Sequence, residues 1–330
     1  MDAPVVIETN STSLQVETIA TALESGPGVV IIRGAYPNHK LLDSVTHTFY
    51  DLIEKADHQA DHFTAGSNQR LWNSVGKLAN VRPDLFAEYY GNPWLHLCCR
   101  AWLGPLYQIT AQVNVVVPGG VGQTGHRDYH LGFFPESLAQ EMPVAFHELS
   151  QRLTLQGAIV HCDVPLQMGP TRFVLGSQIE SDGYKTFRTN RQQRRFENEA
   201  CAVPLAKGDL VVFNPRIFHA AGTNETSDPR LVNLVQVSSA MAKPMESLDF
   251  ESMISALYPF LQALDDQTLD AVCRVITDAY PFPTNLDTDP PSDNWMGELE
   301  STWLFNTVRS GVQSNLAIEN YAERRQRRKA

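Results

Sequence analysis

The feature of this sequence that most limits its fold is a series of short apolar segments between residues 107 and 237, separated by glycine, proline and other turn-forming residues. Strand-like segments occupy 107–117, 153–162, 171–175, 209–213 and 231–237. Many short strands with this punctuation are typical of a β-sandwich or barrel. We therefore predict a mainly β core over residues 105–240.

The regions on both sides of this core carry the apolar spacing of helices. Helices are predicted over 13–24, 38–56, 83–103, 247–264, 266–279 and 311–328, and a short buried strand over 29–32. The chain is thus expected to form a single domain over residues 1–330. Its three parts are a mixed helical N-terminal part (1–104), the β core (105–240) and a helical C-terminal extension (241–330).

Composition limits the partners and the compartment. With 43% hydrophobic and 19% charged residues, the chain has enough apolar side chains for a sizeable core. The formal net charge of −11 argues against a nucleic-acid partner. No long apolar run predicts a membrane helix, and five scattered cysteines are typical of a reducing compartment. We expect a cytoplasmic protein with no membrane partner. Whether it forms a homodimer is left open by the sequence.

A candidate metal site begins at His126 and Asp128. In a β-strand, these two side chains point to one face and Arg127 between them points to the other. His219, which follows the predicted strand at 209–213, is the candidate for a third ligand. Two histidines and one carboxylate that leave positions open on the metal are the ligands of non-haem Fe(II) oxygenases.

A second His-x-Asp pair, His161 and Asp163, competes with the first. It ends the apolar run 153–160, and this position in a buried strand favours a structural role. We therefore predict that the pair at 126 and 128 binds the metal.

Arg230 opens the strand that follows His219, 11 residues later (230 − 219 = 11). A hairpin of this length would bring both side chains into one cavity. A buried guanidinium needs an anion, because an unpaired buried charge is costly, and its planar fork matches a carboxylate. A dicarboxylate that chelates the metal at one end and binds Arg230 at the other fits this pattern, and 2-oxoglutarate is the obvious candidate.

Taken together, these motifs resemble the phytanoyl-CoA dioxygenase (PhyH) family of Fe(II)/2-oxoglutarate oxygenases over residues 105–240. In form they are most similar to members that tailor natural products. The resemblance is carried by Gln123 with His126 and Asp128, by residues 169–177, by residues 207–213, and by residues 219–224 with Arg230. It implies that the β core is a double-stranded β-helix (a cupin-like jelly roll) and that the chain is one catalytic domain.

The resemblance also implies roles for individual residues. His126, Asp128 and His219 are implied as catalytic iron ligands, and Arg230, Gln123 and Thr171 as residues that bind 2-oxoglutarate. The implied cofactors are Fe(II), 2-oxoglutarate and O2. The implied reaction is hydroxylation, desaturation or a related C–H oxidation of a small organic, secondary-metabolite substrate, with release of succinate and CO2.

The sequence departs from the family pattern at two places. Met168 stands where a polar residue is usual, and Gln178 stands where histidine is usual after Gly-Ser. Neither position is an implied ligand. The departure at Met168 concerns a wall of the site, and the departure at Gln178 concerns a turn of the chain.

Four residues are candidates for contact with the substrate: Tyr129, His130, Phe133 and Trp72. Trp72 lies in the segment 57–80, where the helical pattern is lost and small polar residues are frequent. Long loops of this kind are often functional, and we expect the segment to form a mobile lid over the site.

Two other functional classes stay open. A metal-dependent hydrolase would use the same three ligands with a bound water, but it gives Arg230 no role. A non-catalytic jelly-roll binding protein is compatible with the fold, but it gives the three ligands no role.

Overall fold

The computed structural model describes residues 3–9, 15–55, 68–291 and 297–329. The strands are Val5–Glu8 (β1), Val29–Arg33 (β2), Gln69–Leu71 (β3), Tyr107–Val116 (β4), Thr154–Val160 (β5), Arg172–Val174 (β6), Leu210–Phe213 (β7), Phe218–Ala220 (β8) and Arg230–Ser239 (β9). The helices before the core are Val16–Glu24 (α1), His39–Lys55 (α2), Ser74–Val81 (α3), Pro83–Tyr90 (α4) and Pro93–Leu103 (α5). Later helices are Glu136–Glu141 (α6), Val144–Arg152 (α7), Gly183–Thr186 (α8), Asn190–Glu199 (α9), Phe250–Leu261 (α10), Asp266–Val275 (α11), Glu300–Arg309 (α12) and Ser314–Arg327 (α13).

Two sheets face each other across a cavity. The larger has seven strands in the order β1-β2-β7-β5-β9-β4-β3, and its pairs are antiparallel except for β1 with β2. Its longest pairing joins β4 to β9, from Tyr107 opposite Ser239 to Val116 opposite Arg230. The smaller sheet pairs β6 with β8, and these two sheets are the walls of the predicted jelly roll.

The two faces of the large sheet have different surroundings. Because side chains alternate along a strand, each strand supplies both faces. On the outer face Val30, Val113 and Val235 join the main hydrophobic core together with apolar residues of the helices. On the inner face Val211 and Leu234 line the cavity. The sheet therefore uses its outer face for stability and its inner face for the site.

The predicted helices are present, with two differences. The segment 83–103 divides into α4 and α5, because the Asn92 side chain accepts from the N–H groups of Trp94 and Leu95 and starts a new helix at Pro93. Helices α3, α6, α7, α8, α9 and α12 were not predicted.

The predicted loop at 57–80 is wrong over its second half. Leu71 in β3 pairs with Val113, and the Asn73 side chain caps α3 by accepting from Gly76 N at 3.0 Å. Residues 57–67, the first part of the predicted lid, lie outside the described residues, so the lid stays a prediction.

Within the described ranges no helix is long and apolar enough to cross a bilayer. All five cysteines are free thiols. The cytoplasmic location, the homodimer and the single catalytic domain in three parts stay predictions.

Candidate metal centre

The three predicted ligands lie together where the small sheet meets the cavity. His126 and His219 form an isolated β-bridge, in which each backbone N–H donates to the other residue's carbonyl at 2.8 and 2.9 Å. One ligand atom from each of His126, Asp128 and His219 lies within 4.8 Å of the others, and no other such group of metal-ligating side chains occurs in the part of the chain that the structure describes. This spacing suits a single metal ion.

Hydrogen bonds fix both imidazoles in the form that binds metal. Nδ1 of His126 donates to the Thr124 carbonyl and Nδ1 of His219 donates to the Ile217 carbonyl, each at 2.9 Å. The Nε2 lone pairs are therefore available, and the Nε2 atoms lie 3.7 and 3.6 Å from the oxygens of Asp128. Burial lowers the pKa of His126, which favours the neutral ring that a metal requires.

The carboxylate of Asp128 is held in its charged form. Burial alone would raise its pKa, but the two imidazoles and a donated hydrogen bond keep the pKa of Asp128 well below its ordinary value. The donor is Gln156, whose Nε2 lies 2.6 Å from Asp128 Oδ2. An ionised carboxylate and two neutral imidazoles fit a divalent metal such as Fe(II).

The predicted strand through His126 is wrong, although its consequence for the ligands holds. Asp128 N donates to Pro215 O at 2.9 Å, so both ligands still pair with the segment that leads to His219. The chain then turns at Tyr129 (φ 59°) and His130 (φ 44°), in a left-handed conformation that is uncommon without glycine. His130 therefore leaves the ligand face.

Arg127 points away from the ligands, as the alternation predicts. It is 1% exposed, and its Nη1 donates to the carbonyls of Ser177 and Arg216 at 2.7 and 2.6 Å. Its Nη2 binds Glu180 at 2.6 Å. Arg127 thus ties the first ligand segment to the chain just before His219.

Arg230 lies in the same cavity with its charge uncompensated. The side chain is 4% exposed, and its Nη1 donates to the carbonyl of Met168 at 3.2 Å. Within the described ranges no carboxylate pairs with it. Burial lowers the pKa of Arg230 to about 10, so an incoming carboxylate would find a buried cation that lacks a partner.

The departures from the family pattern remove none of these contacts. Met168 offers Arg230 its backbone carbonyl and packs its side chain in a small apolar cluster. The Gln178 side chain donates to Gly26 O at 2.8 Å. This bond links the turn at Gln178 to the residues just before β2.

The cavity has a volume of about 270 Å³ and contains most of the predicted site. The three ligands line it together with Arg230, Gln123 and Thr171 and with the candidate substrate residues Trp72, Tyr129 and Phe133. His130 is not among its lining residues, so its contact with substrate stays a prediction that the geometry does not favour.

Sequence reasoning missed a group of polar side chains on the inner face of the large sheet: Arg70, Gln112, Asn114, Gln156 and Gln236. A signal for them exists in β4, which is buried throughout yet polar at every second position from Gln108 to Asn114. Polar side chains at every second position of a fully buried strand indicate a polar cavity wall, because buried polar groups need partners.

The second His-x-Asp pair has a structural environment. The His161 ring bonds to Tyr89 Oη through Nε2 at 2.6 Å and to Thr46 Oγ1 through Nδ1 at 2.8 Å. Burial lowers the pKa of His161 to about 3. Asp163 accepts from Lys207 N at 2.9 Å. Because both ring nitrogens are occupied, this geometry agrees with the predicted structural role.

Curated relatives of the chain include two fungal proteins. One is the uncharacterized protein YJR154W of Saccharomyces cerevisiae, 26% identical over 166 residues, which are 49% of this chain and 42% of that protein. The other is the iron/alpha-ketoglutarate-dependent dioxygenase ausU of Aspergillus calidoustus, 27% identical over 180 residues, which are 53% of this chain and 54% of that protein. The chain thus spans about half the length of these relatives.

A solved structure with a similar fold is the epimerase SnoN in complex with Fe3+, alpha ketoglutarate and nogalamycin RO. It aligns with a TM-score of 0.51 and 19% identity over 70% of this chain and 86% of that one. The likeness confirms the predicted fold. Residues 26–232 match the family model described as phytanoyl-CoA dioxygenase (PhyH), which extends the resemblance to the helices and the strand before the core. Because this match spans well over half of the sequence, the chain belongs to the phytanoyl-CoA dioxygenase family.

Proposed function

We propose that this protein is an Fe(II)/2-oxoglutarate-dependent dioxygenase that oxidises a C–H bond of a small organic substrate of the secondary-metabolite class. One observation carries the proposal. A group of three metal-ligating side chains shares its cavity with a buried arginine that pairs with no carboxylate of the described residues.

Different residues of the chain would bind the metal and the co-substrate. His126, Asp128 and His219 would hold the metal, and Arg230 would bind the distal carboxylate of 2-oxoglutarate with its planar fork. Gln123 accepts from Ala221 N at 3.2 Å through Oε1, so its amide NH2 is oriented by that bond and can donate to the co-substrate. The iron and its co-substrate supply the oxidising chemistry with O2, while the protein supplies binding, orientation and shielding.

The cavity supports an organic substrate of moderate polarity. Trp72, Tyr129 and Phe133 present aromatic surfaces in it, and amides line the adjoining wall. Pockets of mainly apolar character with a few placed polar groups are typical of small-molecule sites. The name of the relative ausU supports iron and 2-oxoglutarate as the cofactors, and the SnoN complex with nogalamycin RO supports a natural product as the substrate. Hydroxylation and desaturation are both compatible with this site, with succinate and CO2 as co-products.

The test is an anaerobic titration of the full chain with Fe(II) and then with 2-oxoglutarate. We expect a weak visible charge-transfer band that needs both additions, and succinate release once O2 and a substrate from a natural-product panel are added. His219→Ala should abolish the band. A protein that binds Fe(II) but forms no band with 2-oxoglutarate would instead fit the hydrolase, and a protein that binds neither would fit the non-catalytic binding protein.

A further inference from the structure

Gln156 lies on β5 between the metal ligands and the predicted substrate wall. Its Nε2 donates to Asp128 Oδ2 at 2.6 Å and lies 3.4 Å from Oε1 of Gln236. Oε1 of Gln236 also accepts from the hydroxyl of Tyr129. A chain of polar side chains therefore connects a metal ligand to a candidate substrate contact, and Gln156 is its central member.

These contacts fix the orientation of the Gln156 amide. A carboxylate and an amide oxygen can only accept, so the NH2 group must face Asp128 and Gln236. Oε1 must then point elsewhere. It is fully buried and has no hydrogen-bond partner within the described ranges, although the side chain is only 3% exposed and lines the cavity. This oxygen is closed off from the cavity, so Gln156 acts on the site through its N–H group.

We propose that Gln156 is a positioning residue that orients the carboxylate of Asp128 for the metal through its N–H group. The N–H engages Oδ2 of Asp128, which leaves Oδ1 as the oxygen offered to the metal. This inference rests on the function proposed above and deepens it, because it assigns a residue of the cavity wall to the geometry of a metal ligand.

The hydrogen bond from Gln156 to Oδ2 of Asp128 should affect how tightly 2-oxoglutarate binds. A carboxylate with both oxygens free can bind a metal through one or both of them. If Asp128 used both, it would occupy a position that 2-oxoglutarate needs for chelation. Loss of Gln156 should therefore weaken 2-oxoglutarate binding much more than Fe(II) binding, since all three protein ligands stay in place.

The decisive variants are Gln156→Met, which keeps the shape without hydrogen bonds, and Gln156→Glu, which keeps an acceptor and loses the donor. The matched control is Gln108→Met, because Gln108 is an equally buried amide on β4 that bonds to Val275 O at 3.3 Å outside the cavity lining. The probes are Fe(II) alone and 2-oxoglutarate on the anaerobic iron protein.

For Gln156→Met we expect Fe(II) affinity within about threefold of wild type, while 2-oxoglutarate affinity falls about 10- to 100-fold, the loss of one hydrogen bond to a charged group. The charge-transfer band should shift in both Gln156 variants and stay in place in Gln108→Met.

The positioning role is overturned if both Gln156 variants match Gln108→Met in band position and 2-oxoglutarate affinity. Unfolding transitions of all variants, measured alongside, show whether Gln156→Met is folded, and Gln156→Glu carries the test if it is not. Failure of the proposed function has a different signature, because wild type itself would then give no band with Fe(II) and 2-oxoglutarate.

Discussion

At the scale of single residues, hydrogen bonding at the imidazole ring separates the two His-x-Asp pairs. His126 of the first pair, like His219, donates through Nδ1 to a backbone carbonyl and leaves Nε2 free for a metal. His161 uses both nitrogens in bonds to Tyr89 and Thr46. The sequence spacing of the pairs is identical, so only the surroundings of the ring distinguish a ligand from a structural histidine.

Replacing these histidines should therefore have opposite effects. His161→Ala should lower the free energy of unfolding by about 1–3 kcal/mol, the cost of leaving buried polar partners unsatisfied, and should keep Fe(II) affinity. His219→Ala should lose Fe(II) binding and turnover with a smaller change in stability. Urea unfolding and anaerobic Fe(II) titration of both variants check this, and loss of metal in His161→Ala would show that the second pair is the site.

Arg230 should bind the co-substrate and not the metal. Arg230→Ala should keep Fe(II) affinity but raise the dissociation constant of 2-oxoglutarate about 30- to 5,000-fold, since a truncated buried charge pair costs about 2–5 kcal/mol. Arg230→Lys should recover only part of the loss, because an ammonium cannot form the bidentate fork. Arg309→Ala, at a surface pair with Asp266, is the control. An unchanged 2-oxoglutarate affinity in Arg230→Ala would make the arginine structural.

At the scale of elements, the sequence predicted the segments that have a regular spacing of apolar residues and missed the segments that lack one. The long strands β4, β5 and β9 and the helices α1, α2, α10, α11 and α13 follow from apolar spacing and from glycine and proline punctuation, whereas the short strands β1, β3 and β8 and the helices α6–α9 were not predicted. The turn at Tyr129 and His130 was not predicted either, because no residue there signals a positive φ. The amides Gln112, Gln156 and Gln236 meet only through the strand order of the large sheet, which no local pattern specifies. The meeting of His126, Asp128, His219 and Arg230 in one cavity could be predicted, because their residue types and spacing fit a metal and carboxylate site and the resemblance names the same residues.

The turn after the ligand pair depends on Gly132. A Cβ at this position would lie 2.0 Å from the carbonyl oxygen of Arg127, between the two ligands. Gly132→Ala should therefore displace the ligand segment, cost about 1–3 kcal/mol of stability as overpacking does, and weaken Fe(II) binding.

The control is Gly297→Ala, where a Cβ would meet no atom of the described residues within 4 Å. Thermal unfolding and Fe(II) titration of the two alanine variants provide the comparison. Equal behaviour of the two proteins would mean that the turn adapts without moving the ligands.

At the scale of the whole molecule, stability should depend on pH through Glu246. This residue is 9% exposed and accepts from Asn73 N at the start of α3, while its Oε2 has no hydrogen-bond partner in the described ranges. Burial raises the pKa of Glu246 from 4.5 to about 7. Because the folded-state pKa is the higher one, this residue's contribution to stability is complete below about pH 4.5 and is lost as the pH rises through 7.

Glu246→Gln should remove this dependence, because an amide oxygen still accepts from Asn73 and does not ionise. Relative to wild type, the variant should gain about 3 kcal/mol of unfolding free energy between pH 4.5 and pH 8. Urea unfolding at both pH values measures the gain, with the exposed Glu251→Gln as the control. A difference between wild type and Glu246→Gln that does not change with pH would show that Glu246 does not titrate in this range.

The two faces of the large sheet have a consequence for how this gene can evolve. A substitution on the outer face removes packing from the helix-covered core and is exposed to selection for stability. A substitution on the inner face, at Leu234 for example, borders the cavity and removes fewer packing contacts. Descendants of this gene can therefore acquire new substrates by single steps while the scaffold is inherited unchanged.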